Sequence, residues 1–284
     1  GLIFSLVALG VFISFRLLRF PDLTVDGSFP LGGAVCATLI ALGWDPYSAT
    51  LAATAAGALA GLATGLLNVK LKIMDLLASI LMMIALYSIN LRIMGKPNVP
   101  LIAEPTLFTL LQPEWLSDYV FRPLLLVFIV IAAKLLLDWF FTTQKGLAIR
   151  ATGSNPRMAR AQGVNTGGMI LLGMAISNAL VALAGALFAQ TQGGADISMG
   201  IGTIVIGLAA VIVGESILPS RRLILATLAV ILGAIVYRFF IALALNSDFI
   251  GLQAQDLNLV TAVLVTVALV IPMMKKRLLG KKGA

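Results

Sequence analysis

Nine apolar stretches separated by short polar connections set the pattern of this chain: approximately Leu2 to Leu18, Val25 to Leu42, Tyr47 to Val69, Ile73 to Met94, Pro123 to Phe141, Gly167 to Phe188, Met199 to Leu218, Leu223 to Leu245 and Leu257 to Met274. At about 18 to 25 residues each, the stretches match the length that a helix needs to cross a bilayer. The pattern predicts an all-α, polytopic transmembrane protein of about eight to ten membrane segments. No connection is long enough for a separate soluble domain, so one transmembrane domain over residues 1–284 is expected. The chain opens mid-helix on Gly1, which is not an initiating residue, so further amino-terminal residues are expected.

Charge orients the segments. Basic connections carry Arg16 and Arg19, Lys70 and Lys72, Lys145 to Arg160, Arg221 and Arg222, and the tail with Lys275, Lys276, Arg277, Lys281 and Lys282. Between them, in strict alternation, fall connections with Asp45, with Glu104, Glu114 and Asp118, with Asp196, and with Asp248 and Asp256. The positive-inside rule places the first set in the cytoplasm and the second outside. The visible amino end is then outside and the carboxyl end inside, and the segments after Asp22 and Asp196 are candidates for broken or re-entrant helices.

Two halves of the chain share an order of features. Pro21-Asp22-Leu23-Thr24-Val25-Asp26-Gly27-Ser28 leads into a Gly-rich apolar run, and Gly194-Ala195-Asp196-Ile197-Ser198-Met199-Gly200 does so about 174 residues later. A small-residue span, a polar connection (Asp75; Asp256 and Asn258) and a last apolar span follow in each. An odd number of segments separates the two loops, so they lie on opposite sides, the arrangement of an inverted-topology repeat. Repeat one covers about 1–94, a linker and segment 95–145, a cytoplasmic loop 146–165, and repeat two about 166–275. The competing reading is chance similarity between two Gly/Ala-rich halves. Gly57, Gly61 and Gly65 recur every fourth residue, as small residues do where helix backbones approach closely in lipid.

Composition narrows the chemistry. The chain is 60% hydrophobic and 11% charged, with a formal net charge of +8. Its cations sit at the ends of apolar spans rather than in a groove interleaved with aromatics, so no nucleic-acid partner is expected. The lone Cys36 lies in an apolar run and reads as core. There is no histidine, phosphate-binding loop or nucleophile elbow, so no catalytic residue, metal site or ATP hydrolysis is expected in this chain. Asp138, four residues after Lys134, is placed to neutralise it on one helix face.

One polar interruption stands out. Lys145 to Thr166 carries Lys145, Arg150, Arg157 and Arg160 and no acidic residue. It reads as two short helical pieces: Ser154 or Asn155 caps the second, Pro156 takes its first position and Gly163 closes it. A helix this short needs a surface to lie on, either a partner protein or anionic headgroups of membrane lipid.

Gly146-Leu-Ala-Ile-Arg-Ala-Thr-Gly153-Ser-Asn155-Pro-x-x-Ala159-x-x-x-Gly163-Val-Asn, followed by Ala184-Gly185-Ala186, resembles the cytoplasmic loop of ABC importer permeases of the branched-chain amino acid and ribose type. The Asp22-Leu-Thr-Val-Asp-Gly-Ser segment resembles one subgroup, in which a single permease works with a periplasmic or lipid-anchored binding protein. The resemblance covers nearly the whole chain. It implies a multi-pass protein of the bacterial cytoplasmic (inner) membrane, acting as a homodimer with an ABC ATPase subunit that holds ATP and Mg. It also implies that the loop is the coupling helix seated in that ATPase, with Arg150, Gly153, Asn155, Pro156, Arg157, Ala159, Arg160 and Gly163 as its coupling residues. The acidic residue found in the coupling motif of other importer classes is absent, so a salt bridge to the ATPase falls to Arg150, Arg157 or Arg160.

Pathway candidates are polar residues that lipid would penalise: Asp22, Thr24, Asn68, Ser79, Asn90, Ser177, Asn178, Gln190, Asp196 and Asn258. Each either lines the pathway or bonds across a helix interface, and Asp22 is equally suited to capping the helix that follows it. The expected function is translocation of a small polar organic solute, foremost an amino acid. A self-contained secondary carrier is the alternative; it calls for ion-coupling carboxylates at mid-membrane.

Overall fold

The computed structural model of the chain describes residues 2–101, 106, 108, 111–115, 117–218, 222–245 and 257–281. Helix α1 (Leu2–Phe12) runs into a π-helical turn (Ile13–Leu17); α2 (Val25–Ala41), α3 (Pro46–Val69) and α4 (Asp75–Met94) follow. Strand β1 (Asn98–Pro100) precedes α5 (Asp118–Thr142), α6 (Gln144–Ser154), α7 (Pro156–Ala161) and α8 (Thr166–Gln192). Strand β2 (Gly194–Asp196), α9 (Thr203–Ile217), α10 (Leu223–Leu245) and α11 (Leu257–Lys281) complete the order. Glu104, Arg221, Asp248, Asp256 and Lys282, which mark connections in the sequence, lie outside the described residues.

The nine apolar stretches all fold as helices, and the protein is an all-α, multi-pass membrane protein. Among the described residues, five helices are long and apolar enough to cross a bilayer: α3, α4, α5, α8 and α10. The segments from Leu2, Val25 and Thr203 are shorter, at Leu2–Leu17, Val25–Ala41 and Thr203–Ile217. At about 1.5 Å per residue, α2 and α9 fall short of a ~30 Å hydrocarbon layer.

Helix α1 is the hub. Leu6, Val7, Ala8, Leu9 and Val11 have no exposed surface, and the helix is wrapped by α5, α8, α9 and α10. A helix apolar on every face is stable only when so surrounded. The closest approaches are made by α8 with α2 and α3. A Cβ on Gly32 would overlap the Ala182 carbonyl, one on Gly185 the Phe29 carbonyl, and one on Gly61 the Met174 carbonyl. The small-residue stripe of α3 therefore sets backbone contact with α8, as van der Waals packing in lipid requires. Phe4, Phe29 and Phe188 fill the wider end of this interface, with ring centroids 5.4–6.0 Å apart.

Chain punctuation follows local chemistry. Pro46 opens α3 at its first positions, and Gly95 and Gly193 end α4 and α8 in the left-handed conformation, at φ 72° and 78°. Lys134 Nζ meets Asp138 Oδ2 at 2.5 Å, as the i,i+4 spacing predicts, and Asp138 Oδ1 accepts from Thr227 Oγ1 at 2.8 Å. The two-stranded ribbon was not legible in the sequence. Asn98 pairs antiparallel with Asp196 and Pro100 with Gly194, tying two outer connections together.

Candidate functional site

The polar interruption folds as an elbow beside the basic end of α1. Helix α6 is held from both sides: Ile149 and Thr152 are buried, and a Cβ on Gly153 would overlap the Leu17 carbonyl at the end of the π turn. Gly153 thus serves close packing of α6 against α1. Helix α7 begins where Asn155 Oδ1 accepts a hydrogen bond from Met158 N at 3.1 Å, with Pro156 at its first position. It ends at Gly163, whose φ of +87° suits a residue without a side chain. Ala159 is buried and anchors the turn, whereas Pro156, Arg157, Met158 and Arg160 face outward. The capping predicted from sequence is found, with Asn155 rather than Ser154 as the cap.

Arg150 parts from the other two arginines. It is half-buried on α6 and lines a notch of about 410 Å³ with Arg16, Arg19 and Ser154. Arg157 and Arg160 stay exposed on α7.

Asp22 and Asp196 adopt the same local turn. Thr24 N donates to Asp22 Oδ1, and Ser198 N to Asp196 Oδ1, each at 3.0 Å. Their surroundings differ. Asp196 is exposed, its Oδ1 also accepting from Ser198 Oγ. Asp22 is fully buried: its Oδ2 accepts from Asn178 Nδ2 at 3.0 Å, and Asn178 Oδ1 accepts from Ser28 Oγ at 2.6 Å. Thr24 Oγ1 lies 2.7 Å from Thr64 Oγ1, joining α3 to the cluster. Buried polar groups are stable when so paired.

Other candidates are likewise committed to structural bonds. Asn68 Nδ2 donates to Ile73 O across the turn between α3 and α4, Ser79 Oγ to Leu76 O and Pro21 O, and Ser177 Oγ to Gly10 O. Gln190 Nε2 donates to Thr50 Oγ1 at 3.0 Å beside Cys36. Asn258 sits at the start of α11, and its side chain lies outside the described residues.

Asn90 is the exception. Its Nδ2 donates to Gly27 O at 3.3 Å, but its buried Oδ1 has no partner among the described residues. Asn90 borders a cavity of about 450 Å³ with Asp26, Pro30, Tyr87, Ser88 and Ile201. The cavity opens where the start of α2, the middle of α4 and the loop before α9 meet. Asp26 Oδ1 accepts from Ile204 N at 2.8 Å, so the first turns of α2 and α9 share one carboxylate. Asp26, Tyr87 and Ser88 were not among the residues singled out from sequence; an acidic residue inside an apolar, Gly-rich run was the available signal.

The site's depth follows from its neighbours. Arg16 and Glu215 form a two-pronged ion pair, at 2.8 and 3.0 Å, at the basic end of α1. A rise of ~1.5 Å per residue puts Ile204 ~16 Å from Glu215 along α9, near the middle of a ~30 Å hydrocarbon layer. Two helix starts thus converge near mid-membrane, with the Ile204 N–H at the start of α9 satisfied by the Asp26 carboxylate.

Comparison with known proteins agrees with this architecture. The family model described as "Branched-chain amino acid transport system / permease component" matches residues 1–273. The chain is 42% identical over 265 residues to the tyrosine transport system permease protein of Clostridioides difficile (strain R20291), covering 93% of this chain and 86% of that protein. It is similar at 30% identity to the galactofuranose transporter permease protein YtfT of Escherichia coli (strain K12), over 71% of this chain and 58% of that one. The ribose import permease protein RbsC of the same strain is 26% identical over 88% of this chain and 76% of its own length. No solved structure matches the chain. A family model that covers the elbow, both Asx-turn loops and the mid-membrane cavity leads to one statement: this chain belongs to the permease components of the branched-chain amino acid transport type, within ABC transport systems.

Proposed function

We propose that this chain is the pathway subunit of an ATP-driven importer and that it translocates an amino acid delivered by a periplasmic or lipid-anchored binding protein. Two copies form the pathway, and a separate ATPase subunit holds ATP and Mg. The observation that carries this reading is the elbow: a pre-capped helix too short to be stable alone, presenting Arg157, Met158 and Arg160 at the cytoplasmic end. The role of α7 is to seat in the ATPase, so that closure of the ATPase pair moves the two elbows together.

The amino-acid assignment rests on the 42% identical relative named for tyrosine transport and on the make-up of the cavity. Met83, Ile84 and Ile201 supply apolar wall, while Asp26, Ser88 and Asn90 supply polar side chains along it, a mixture suited to a zwitterion with an apolar side chain. The solute-facing side of α4 is largely open, with Ile84 61% and Tyr87 55% exposed, as it would be where a second copy completes the pathway.

The test is purification from native membranes of wild type and of the Arg157→Glu, Arg160→Glu double variant. An ATP-hydrolysing subunit retained by wild type and shed by an equally stable variant is the expected result. A wild type that purifies alone and drives amino-acid uptake from an ion gradient would overturn it. ATP-driven uptake of a sugar in place of tyrosine or phenylalanine would overturn the solute assignment alone.

A further inference from the structure

Two cavities meet at Arg16. One is the basic notch between the end of α1 and α6, about 410 Å³, bordered by Arg16, Arg19, Arg150 and Ser154. The other is a groove of about 600 Å³ among α9, α10 and α11, walled by Ile212, Val213, Val236, Phe240 and Leu269. The groove begins at the Arg16–Glu215 pair and follows α10 away from its cytoplasmic end toward the bilayer interior. Phe240 and Ile271 on its walls are about half exposed, so the groove opens sideways.

The charges are unequally matched. Arg16 is neutralised by Glu215 at 2.8 Å. Arg19 and Arg150 have no hydrogen-bond or ion-pair partner among the described residues, and no carboxylate borders the notch. Arg19 also holds the left-handed backbone conformation, at φ +53°, which a non-glycine residue rarely adopts. Two unpaired guanidinium groups at the cytoplasmic interface, next to an apolar groove of small-molecule size, call for an amphipathic anion.

We propose that the notch and groove together bind one anionic phospholipid of the cytoplasmic leaflet, with its phosphate on Arg19 and Arg150 and an acyl chain in the groove. Arg16, fixed by Glu215, sits where glycerol backbone and phosphate meet. Arginine forks match phosphate oxygens bidentately, and Ser154 adds a hydroxyl at the rim. The lipid bridges α6, which carries the elbow, to α9–α11, so its occupancy steadies the elbow against the membrane domain. Arg150 thereby serves the lipid, leaving Arg157 and Arg160 for the protein partner.

The test is native mass spectrometry of the detergent-purified chain after delipidation and titration with phosphatidylglycerol or phosphatidylcholine of identical acyl chains. Wild type should retain phosphatidylglycerol in preference by about 10-fold or more. Arg19→Gln with Arg150→Gln should abolish the preference, whereas Val213→Phe, which fills the groove and keeps the charges, should lower retention of both lipids. Arg238→Gln, on α10 away from the notch, should change nothing. Equal retention of the two lipids by wild type would overturn the proposal without recourse to any variant. Displacement of phosphatidylglycerol by millimolar inorganic phosphate would assign the notch to a free anion. Unchanged lipid preference in the double arginine variant, with loss of the ATP-hydrolysing partner, would assign it to protein docking; both results would also overturn the lipid site.

Discussion

Asp26 and Ile204, 178 residues apart, join the first turns of two short helices: the Asp26 carboxylate accepts the Ile204 backbone N–H at 2.8 Å. Each helix follows an Asx turn, at Asp22 and at Asp196. Helices that run in opposite directions across a bilayer start at the same depth only when both are broken. The bond therefore ties the two breaks to one point, beside the cavity that Asn90 borders. Transporters with inverted repeats expose backbone ends to their solute at such a point.

Removing that carboxylate should loosen α9 at its start. A charge-assisted hydrogen bond contributes ~1.5–3 kcal/mol, so Asp26→Ala should lower stability by about that amount. Asp26→Asn keeps an oxygen in place and should lose less. Unfolding of the detergent-solubilised variants, followed by tryptophan fluorescence, gives the order; equal losses for Ala and Asn would mean that Ile204 N is satisfied by other groups.

Asn178 is the centre of the buried network, donating to Asp22 Oδ2 and accepting from Ser28 Oγ. Asn178→Ala strands both partners in a site closed to water. An unsatisfied buried polar group costs ~1–3 kcal/mol and a charged one more, so this variant should be among the least stable single substitutions in the chain. Asp22→Asn, which removes the charge and keeps the shape, should be milder. Expression level and melting temperature together check the ranking.

Asn90 should act on transport rather than on stability. Its Oδ1 is buried and unpartnered, so Asn90→Leu forfeits only the 3.3 Å bond to Gly27 O and should cost ~1 kcal/mol or less. Uptake in proteoliposomes containing the partner subunits should nevertheless fall, by about 10-fold if that oxygen meets the moving solute. Unchanged uptake would place the pathway away from this cavity.

The architecture was legible because lipid leaves the chain few options: apolar length marked the nine stretches that fold as helices. The elbow was legible because capping is local, and Asn155, Pro156 and Gly163 need only their neighbours to act. The pathway was less so. Polarity marked Asp22, Asn178 and Asn90 alike, but only the fold distinguishes the first two, 156 residues apart and bonded to each other, from the third. Asp26 was passed over since its partner, a backbone N–H on α9, has no sequence signature. Arg150 is distant in the chain from Arg16 and Arg19, and the notch they form exists only once α6 lies against the end of α1.

The pairing of Lys134 with Asp138 offers a test between a pathway subunit and an ion-driven carrier. Both residues are buried, in contact at 2.5 Å, and Thr227 Oγ1 saturates the second carboxylate oxygen. Breaking a buried pair from one side costs ~3–5 kcal/mol, whereas replacing both partners with apolar residues of similar volume is often neutral. Lys134→Met alone should therefore destabilise strongly, and Lys134→Met with Asp138→Leu should recover most of the loss, less the Thr227 bond. A carrier that moved protons or sodium through this pair would lose gradient-driven uptake in the recovered double variant. In an ATP-driven permease the pair only fastens α5 to α10, so the double variant should keep its uptake, and a stable double variant that no longer transports would return the carrier reading to first place.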